Sequence, residues 1–497
     1  MSFVTALKCT QCGHEYPSDE RITICAVCDG VLNVTYDLSQ LRRRFKSTEL
    51  ARRLPGIWKY SELLPVVNLD TVVSLGEGGT FLHKCDGLAR STGMQELYLK
   101  DETTNPTGAF IDRGTAVEVS VAKERGFKSM CCGSTGNLAA SLVAYAARAG
   151  LSSKVFIPQR GGVDVGKFYQ ILAYGADVEV VRDHEEAEAR ANQESSHSRI
   201  ISPSSPHFLE GVKTTVYEVC EQLQWTGPDW IIVPMGNGGH LSMIWKGLRE
   251  LNQVGLLETN KTKLVGVQAK GCAPIVEAFD SNADEVSPCA TVSTLSLDIS
   301  VKKPSCGRMA LNAIRESRGH AIAVHDKDIL KALGDLARQE GVFAEPSSAT
   351  SIAALRALME SKEISRTDRV VCVITGMGLK YPEIARTLVK GRTELENLLS
   401  QVEDRRFTTH LGKTKVHILH ILAKGESYGY EIWKGLQEDH GVRLRIPSVY
   451  QHLVELKASG LIASTRSERT FDGRYRRYYE LSERGKWTLN QLERLSD

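Results

Sequence analysis

The 497-residue chain has no uninterrupted run of about 18 apolar residues, the length a membrane-crossing helix requires. Its first residues, MSFVTALKC, show no basic segment followed by an apolar stretch, so no secretory signal is expected. Without one, the twelve cysteines are expected to be reduced thiols of a cytoplasmic protein, not a disulfide framework. Net charge is scarce too, at +2. It is unevenly spread, however: residues 407–497 hold 15 Lys/Arg against 11 Asp/Glu, leaving the first 406 residues at −2. A basic tail on a near-neutral body points to a polyanionic partner for the tail alone.

What the chain does have is ordinary globular composition, 42% hydrophobic and 25% charged, at a length that implies about two to four domains. The first 35 residues carry CTQC (Cys9, Cys12) and CAVC (Cys25, Cys28). Two such knuckles supply four thiolates to one tetrahedral zinc, and Gly13 and Gly30 allow the turns behind them. No coordination position is left open, so the zinc is expected to be structural. Residues 38–60 read as charged and helix-like until Pro55 and Pro65 interrupt them.

From there apolar strands alternate with glycine turns and helices. LKDETTNPTGAFIDRG (99–114) runs from a strand end through a Pro/Gly turn into a helix. SMCCGSTGNLAASLVAYAARAG, DWIIVPMGNGGHLSMIWKGLREL and RVVCVITGMGLKYP repeat the pattern of buried strand followed by glycine turn. This alternation predicts an α/β fold with parallel sheets covered by helices. Its ligand sites belong at the carboxyl ends of the strands. GNGGH (Gly236, Asn237, Gly238, Gly239, His240) is the best candidate for an anion, because unhindered N–H groups ahead of a helix suit a phosphate monoester. A tight strand–helix connection without a ligand would give the same pattern.

Taken in order, the cysteine ribbon, LGEGGT, KDETTNPTGAFIDRG, GSTGNLAAS, VPMGNGGH, EPSSA and TGMGLK resemble the threonine synthases, fold type II pyridoxal-phosphate enzymes. The resemblance spans about residues 5–395 and implies a two-subdomain body at 36–390, its small subdomain at about 93–205. It implies that Asn137 meets the cofactor's ring hydroxyl, that the amides of 236–240 hold its phosphate, and that Thr375 faces the pyridine nitrogen. It also implies conversion of O-phosphohomoserine to threonine. One letter departs from the pattern: Ile111 stands where the family has its Schiff-base lysine. Isoleucine can neither bond an aldehyde nor move a proton, so no catalytic residue is assigned. Lys100, Lys167 and Lys380 belong to segments that active relatives also carry.

Residues 391–410 are read as a linker helix. Beyond them, 411–497 show three helical patterns and then two alternating strands around Asp472-Gly473, a hairpin turn signal. Three helices and a hairpin describe a winged helix-turn-helix. ILHILAKGESYGYEIWKGL, SVYQHLVELKASGLI and GRYRRYYELSERG are similar to the PadR-like transcriptional regulators. Arg443, Arg445, Ser448, Tyr450 and Gln451 are candidate DNA contacts around the third helix, and Arg474, Arg476 and Arg477 on the wing. Use of the module for protein contact is the alternative.

The combination suggests a ligand-responsive regulator of double-stranded DNA, in which the lysine-less body senses an amino acid, a phosphorylated amino acid or a pyridoxal-phosphate adduct. Pyridoxal phosphate would then be held without a covalent bond, zinc would be structural, and a homodimer would read a palindromic site. The alternative is an active threonine synthase-type lyase with an autoregulatory DNA-binding domain.

Overall fold

The computed structural model describes residues 3–134, 136–159, 164–194, 198–258, 261–382, 384, 388, 412–469, 475–483, 485, 486, 488 and 489. The chain divides into two compact units, Met1–Leu388 and Val389–Asp497.

The first unit begins with strands β1 (Val4–Cys9), β2 (Glu15–Tyr16) and β3 (Leu32–Tyr36), antiparallel in the order β2-β1-β3. Leu7, Leu32 and Val34 form its small core together with Cys9 and Cys25. Residues 38–60 are not one continuous helix. They form the short helices Leu38–Arg42 and Ser47–Leu50 and then a 3-10 turn, Ile57–Leu63. Leu41 and Leu50 both enter the same core, yet nine residues apart they would lie on opposite faces of one helix. The chain therefore bends between them.

The body strands are β4 (Phe81–Lys84), β5 (Glu96–Asp101), β6 (Ser129–Gly133), β7 (Ser152–Pro158), β8 (Asp177–Val181), β9 (Arg199–Ile200), β10 (Trp230–Pro234), β11 (Lys263–Ala269), β12 (His320–Val324) and β13 (Arg369–Ile374). Six of them form a sheet in the order β12-β11-β10-β13-β5-β4, parallel except for the edge strand β4. Four form a wholly parallel sheet, β8-β7-β6-β9. The smaller sheet draws its strands only from 129–200, while β5 pairs with β13 in the larger one. Central strands such as WIIVP are buried throughout, as a parallel sheet covered on both faces demands. Strand order reverses at β10 and at β6, each of which has a later strand on either side. Crevices open at such reversals, and the GNGGH and GSTGN turns leave the sheets there.

The second unit has helices Lys413–Ala423, Gly429–Glu438 and Ile446–Ala458, with strands β14 (Ser427–Tyr428), β15 (Ile462–Arg469) and β16 (Tyr475–Leu481). The strands are antiparallel in the order β14-β16-β15, the arrangement of a winged helix. Val449, Leu453 and Leu456 bury one face of the third helix against Leu419, Ile432 and Leu436. The linker helix expected at 391–410 and the Asp472-Gly473 turn lie outside the described residues. Among the described residues, no helix is long and apolar enough to cross a membrane.

Candidate functional site

The turn between β5 and the helix Ile111–Glu124 is fixed from both ends. The Asp112 carboxylate accepts from the Thr107 N–H and hydroxyl, each at 2.6 Å, and from Ser141 Oγ at 2.6 Å. On the other side Phe110 N–H donates to the Thr375 carbonyl (3.0 Å), and Met377 N–H to the Gly108 carbonyl (2.9 Å). Gly108 has φ +78°, and a Cβ there would stand 3.2 Å from Met377 Cβ and 3.3 Å from Lys380 Cε. Only glycine lets the turn lie so close to the TGMGLK segment. Ile111, the first residue of the helix, is 9% exposed and belongs to the apolar cluster that also contains Ala109 and Leu138.

Beneath this turn the motif's other charges form a buried frame. The Arg113 guanidinium donates to Glu102 (2.6 Å) and Glu218 (2.7 Å) and also reaches Thr80 and Thr214. Lys100 Nζ donates to Glu218 (2.7 Å), Gln222 (3.0 Å) and the Thr80 carbonyl (2.8 Å). The two cations hold the Glu218 carboxyl far below the usual carboxylate range despite burial. Lys100 is therefore fully engaged in this frame.

Above the turn lies a polar cluster with Glu345 at its centre. The Glu345 carboxyl accepts from Asn137 Nδ2 (3.1 Å) and Thr375 Oγ1 (3.0 Å). Burial, reinforced by the nearby Asp298 carboxylate, pushes its pKa up to about 7. Lys380 Nζ donates to Asn137 Oδ1 at 2.8 Å, and burial lowers its pKa to about 8. Lys167 Nζ donates to Asp298 (2.6 Å) and the Tyr381 hydroxyl (2.7 Å), which in turn donates to Asp298. The structure thus brings two expected site residues, Asn137 and Thr375, onto one carboxyl. Sequence reasoning quoted EPSSA and TGMGLK but gave Glu345 and Lys380 no role. An acid and an amine standing inside such motifs were the available signal.

The GNGGH loop follows β10 and opens the helix Gly239–Gln253. Within the described residues, the N–H groups of Gly236, Asn237, Gly238, Gly239 and His240 donate no hydrogen bond. Gly238 has φ +88°, and a Cβ on it would meet Ala310 Cβ at 2.9 Å and the Cys306 carbonyl oxygen at 3.0 Å. The Asn237 side chain is occupied, accepting from Ser305 N–H (2.7 Å) and Oγ (2.8 Å). The His240 ring stacks on Phe110 with centroids 4.1 Å apart and an interplanar angle of 5°. Burial lowers its pKa to about 4, so the ring is neutral near pH 7. Five free amides at the start of a 15-residue helix fit a phosphate monoester. The free amides suit the phosphate of pyridoxal phosphate, and Asn137 and Thr375 carry polar side chains of the kind its ring needs, but both are bonded to Glu345 here, and no amine stands at position 111. When bound, the cofactor supplies an aldehyde carbon and an electron-withdrawing ring.

At the other end of the unit the sulfurs of Cys9, Cys12, Cys25 and Cys28 all lie within 4.8 Å of one another. Cys9 and Cys28 are 3.5 Å apart and Cys12 and Cys25 3.6 Å, close to the edge of about 3.8 Å that a zinc tetrahedron with its usual Zn–S bonds imposes. Gly13 makes the first turn with φ +74°, whereas in the second Asp29, not Gly30, takes the positive φ (55°). Gly30 is needed for room instead, because its Cβ would stand 2.8 Å from Cys9 Sγ.

In the second unit Arg443 and Arg445 are exposed ahead of the third helix, Ser448 is half-buried, and Tyr450 and Gln451 are exposed. The Tyr450 ring lies against Gly429, where a Cβ would meet it at 2.6 Å. Gln451 Nε2 donates to Glu455 (3.3 Å), whose carboxylate also pairs with Lys415 (2.8 Å). Arg476 and Arg477 are both exposed on β16, and Arg476 sits 4.7 Å over the Tyr428 ring. As successive strand residues they address opposite faces of the wing. Arg474 lies outside the described residues.

Residues 73–376 match the family model for the pyridoxal-phosphate dependent enzymes, and residues 418–491 that for the PadR-like transcriptional regulators. The chain is 42% identical over 381 residues to the threonine synthase of Methanocaldococcus jannaschii, covering 76% of this chain and 93% of that protein. To the threonine synthase of Methanosarcina acetivorans it is 40% identical over 412 residues, covering 82% and 99%. Among solved structures, maize serine racemase superposes with a TM-score of 0.54 at 20% identity, over 65% of this chain and 92% of that one. At that identity the likeness speaks for the fold alone.

Proposed function

The chain belongs to the pyridoxal-phosphate dependent enzyme family and ends in a PadR-like domain, and from this premise we propose that it is a ligand-responsive DNA-binding regulator. Its threonine synthase-like body is the sensor, and its winged helix reads the DNA. The ligand is an amino acid, a phosphorylated amino acid or a pyridoxal-phosphate adduct. The observation that carries this reading is Ile111, an apolar side chain at the head of the helix where the resemblance calls for the Schiff-base lysine. Loss of a positioned acid–base group alone costs about 10²- to 10⁴-fold in rate. Around it the free amides of 236–240, Asn137 and Thr375 remain able to hold a phosphorylated ligand. A site of this kind binds without consuming what it binds.

Sensing requires the ligand to bind more tightly to one arrangement of the protein than to another. The remaining parts of the proposal are a structural zinc on Cys9, Cys12, Cys25 and Cys28, a cytoplasmic location, and a dimer on a palindromic operator. The basic balance of the tail and its exposed arginines support DNA as the partner.

The test uses the full chain and a duplex selected from a random pool. DNA affinity is measured with and without pyridoxal phosphate plus amino acids or O-phosphohomoserine, alongside phosphate release from the latter. A shift of about 5- to 150-fold, the usual range of allosteric coupling, without phosphate release is expected. Turnover would establish the second reading, a threonine synthase-type lyase with an autoregulatory domain, for which the buried amine of Lys380 is the observation in favour. Unchanged DNA affinity with every ligand would remove the sensor.

A further inference from the structure

Four lysines of the first unit are almost wholly buried: Lys100, Lys167, Lys213 and Lys380. Burying an ammonium group is expensive unless it is paired, and three of them are. Lys100 pairs with Glu218, Lys167 with Asp298 and Asp164, and Lys213 with Glu210 and Glu250. Lys380 forms no ion pair among the described residues; the one hydrogen bond its Nζ makes there goes to a neutral amide, Asn137 Oδ1. The carboxylates that face it are committed elsewhere. Asp112 is held by Thr107 and Ser141, Glu345 by Asn137 and Thr375, and Asp298 by Lys167 and Tyr381. We infer that Lys380 is the carbonyl-reactive amine of this site, forming an imine with an aldehyde such as pyridoxal phosphate seated on the GNGGH loop.

The position suits that role. Lys380 Cε lies 3.3 Å from where a Cβ of Gly108 would be, in the turn that leads into Ile111. The Lys380 backbone is pinned from the other side, where a Cβ on Gly166 would stand 2.9 Å from its Cα. Asn137, its partner, is the residue the family resemblance places at the cofactor's ring hydroxyl. Burial and the like charge of Lys167 favour the neutral amine, against the pull of Asp112, Glu345 and Asp298, and leave its pKa at about 8. Neutral lysine is the nucleophile, and a desolvated pocket is how lysines of this kind are activated. Lys380 Nζ, once deprotonated, attacks the aldehyde carbon. The C–N bond forms as the C=O π bond opens, and the oxygen then leaves as water with the two amine hydrogens, so that C=N remains. No electrons are gained or lost overall, and no further reactant is needed.

This inference rests on the proposal that the site takes the cofactor, and the experiment separates the two. The full-length chain is incubated with pyridoxal phosphate, reduced with borohydride, digested and mapped by mass spectrometry. The phosphopyridoxyl mass is expected on the peptide containing Lys380, with at least about tenfold less label in Lys380→Ala and Lys380→Gln. The second variant keeps a donor for Asn137, and thermal melts check that both remain folded. Labelling should rise as the pH passes through about 8. Label on Lys167 or on any other lysine overturns the inference. So does retention of pyridoxal phosphate with no reducible bond, an outcome that leaves the sensor reading intact. Failure to retain it at all overturns the inference together with the binding of the cofactor, and leaves the sensor reading to an amino acid or a phosphorylated amino acid. Should the variants not fold, the peptide map of the unaltered chain decides.

Discussion

Phe110 donates its N–H to the carbonyl oxygen of Thr375 at 3.0 Å. That bond joins the turn ahead of Ile111 to the strand end that carries Thr375, Gly376 and Lys380. The residue before Ile111 and Thr375 are thereby set side by side, and the bond is made by backbone. It survives whatever side chain stands at 111. The course of the turn is set by backbone bonds and so does not depend on the side chain at 111.

Returning the amine tests this directly. Ile111→Lys should acquire a borohydride-reducible attachment of pyridoxal phosphate at residue 111. The free protein should lose stability by about 1–3 kcal/mol, since Ile111 sits in an apolar cluster and a charged head there lacks a partner. Peptide mapping and thermal melts with and without the cofactor measure both effects. A variant that melts normally yet takes no label at 111 would show that the position does not face the ligand.

Glu345 gives the fold a pH dependence of definite sign. Its pKa rises from 4.5 to about 7 on folding, so the native state prefers the neutral acid. That preference is fully effective below pH 4.5 and is lost progressively as pH rises towards 7. Relative to Glu345→Gln, which cannot ionise, the native chain should lose on the order of 3 kcal/mol across this window. Denaturant titrations of both proteins at matched pH values measure the difference. Curves that run parallel from pH 4.5 to 7.5 would mean that Glu345 titrates as an ordinary surface acid.

Most of the framework was legible because it rests on local patterns. WIIVP, with no polar residue, reads as a strand covered on both faces, and the glycine turns after such strands read as ligand edges. Val449, Leu453 and Leu456 repeat at helical spacing and do form one buried face. The breaks at Phe45 and Lys46 were not legible, because they come from the need of Leu41 and Leu50 to reach one core. Nor was the role of Glu345, whose partners Asn137 and Thr375 are 208 and 30 residues away in sequence. Lys380 stood in a quoted motif, but its lack of an ion pair is visible only once every neighbouring carboxylate has been traced to another partner.

The cysteine ribbon predicts a metal count. With its four sulfurs already within 4.8 Å of one another, the chain purified with zinc should hold one ion, measured by elemental analysis. Cys25→Ser should reduce this to zero, because no other group of three or more ligands is grouped among the described residues. The ribbon's core is only five residues, too small to stand by itself. Chelation should therefore open residues 3–36 to hydrogen exchange while β10 and β13 stay protected. Native protein that remains metal-free would point to a ribbon held by packing against the body alone.

For the winged helix, position on the wing predicts two different behaviours. Arg477 is exposed and shows no ion pair among the described residues, and Arg476 rests over Tyr428. An arginine that meets a phosphate contributes about 0.9 to the slope of log K against log salt. Arg476→Ala and Arg477→Ala address opposite faces of β16, so one should flatten the slope by about that amount and the other should leave it nearly unchanged. Arg445→Ala, ahead of the third helix, should behave like the phosphate-contacting member. Gln451→Ala should instead alter which sequences are bound at constant slope, since an amide on the exposed face of that helix reads base edges. Affinities measured from low to moderate salt on one selected duplex and on mismatched versions separate these effects. Slopes unchanged from the native chain in both Arg476→Ala and Arg477→Ala would take the wing out of the DNA interface.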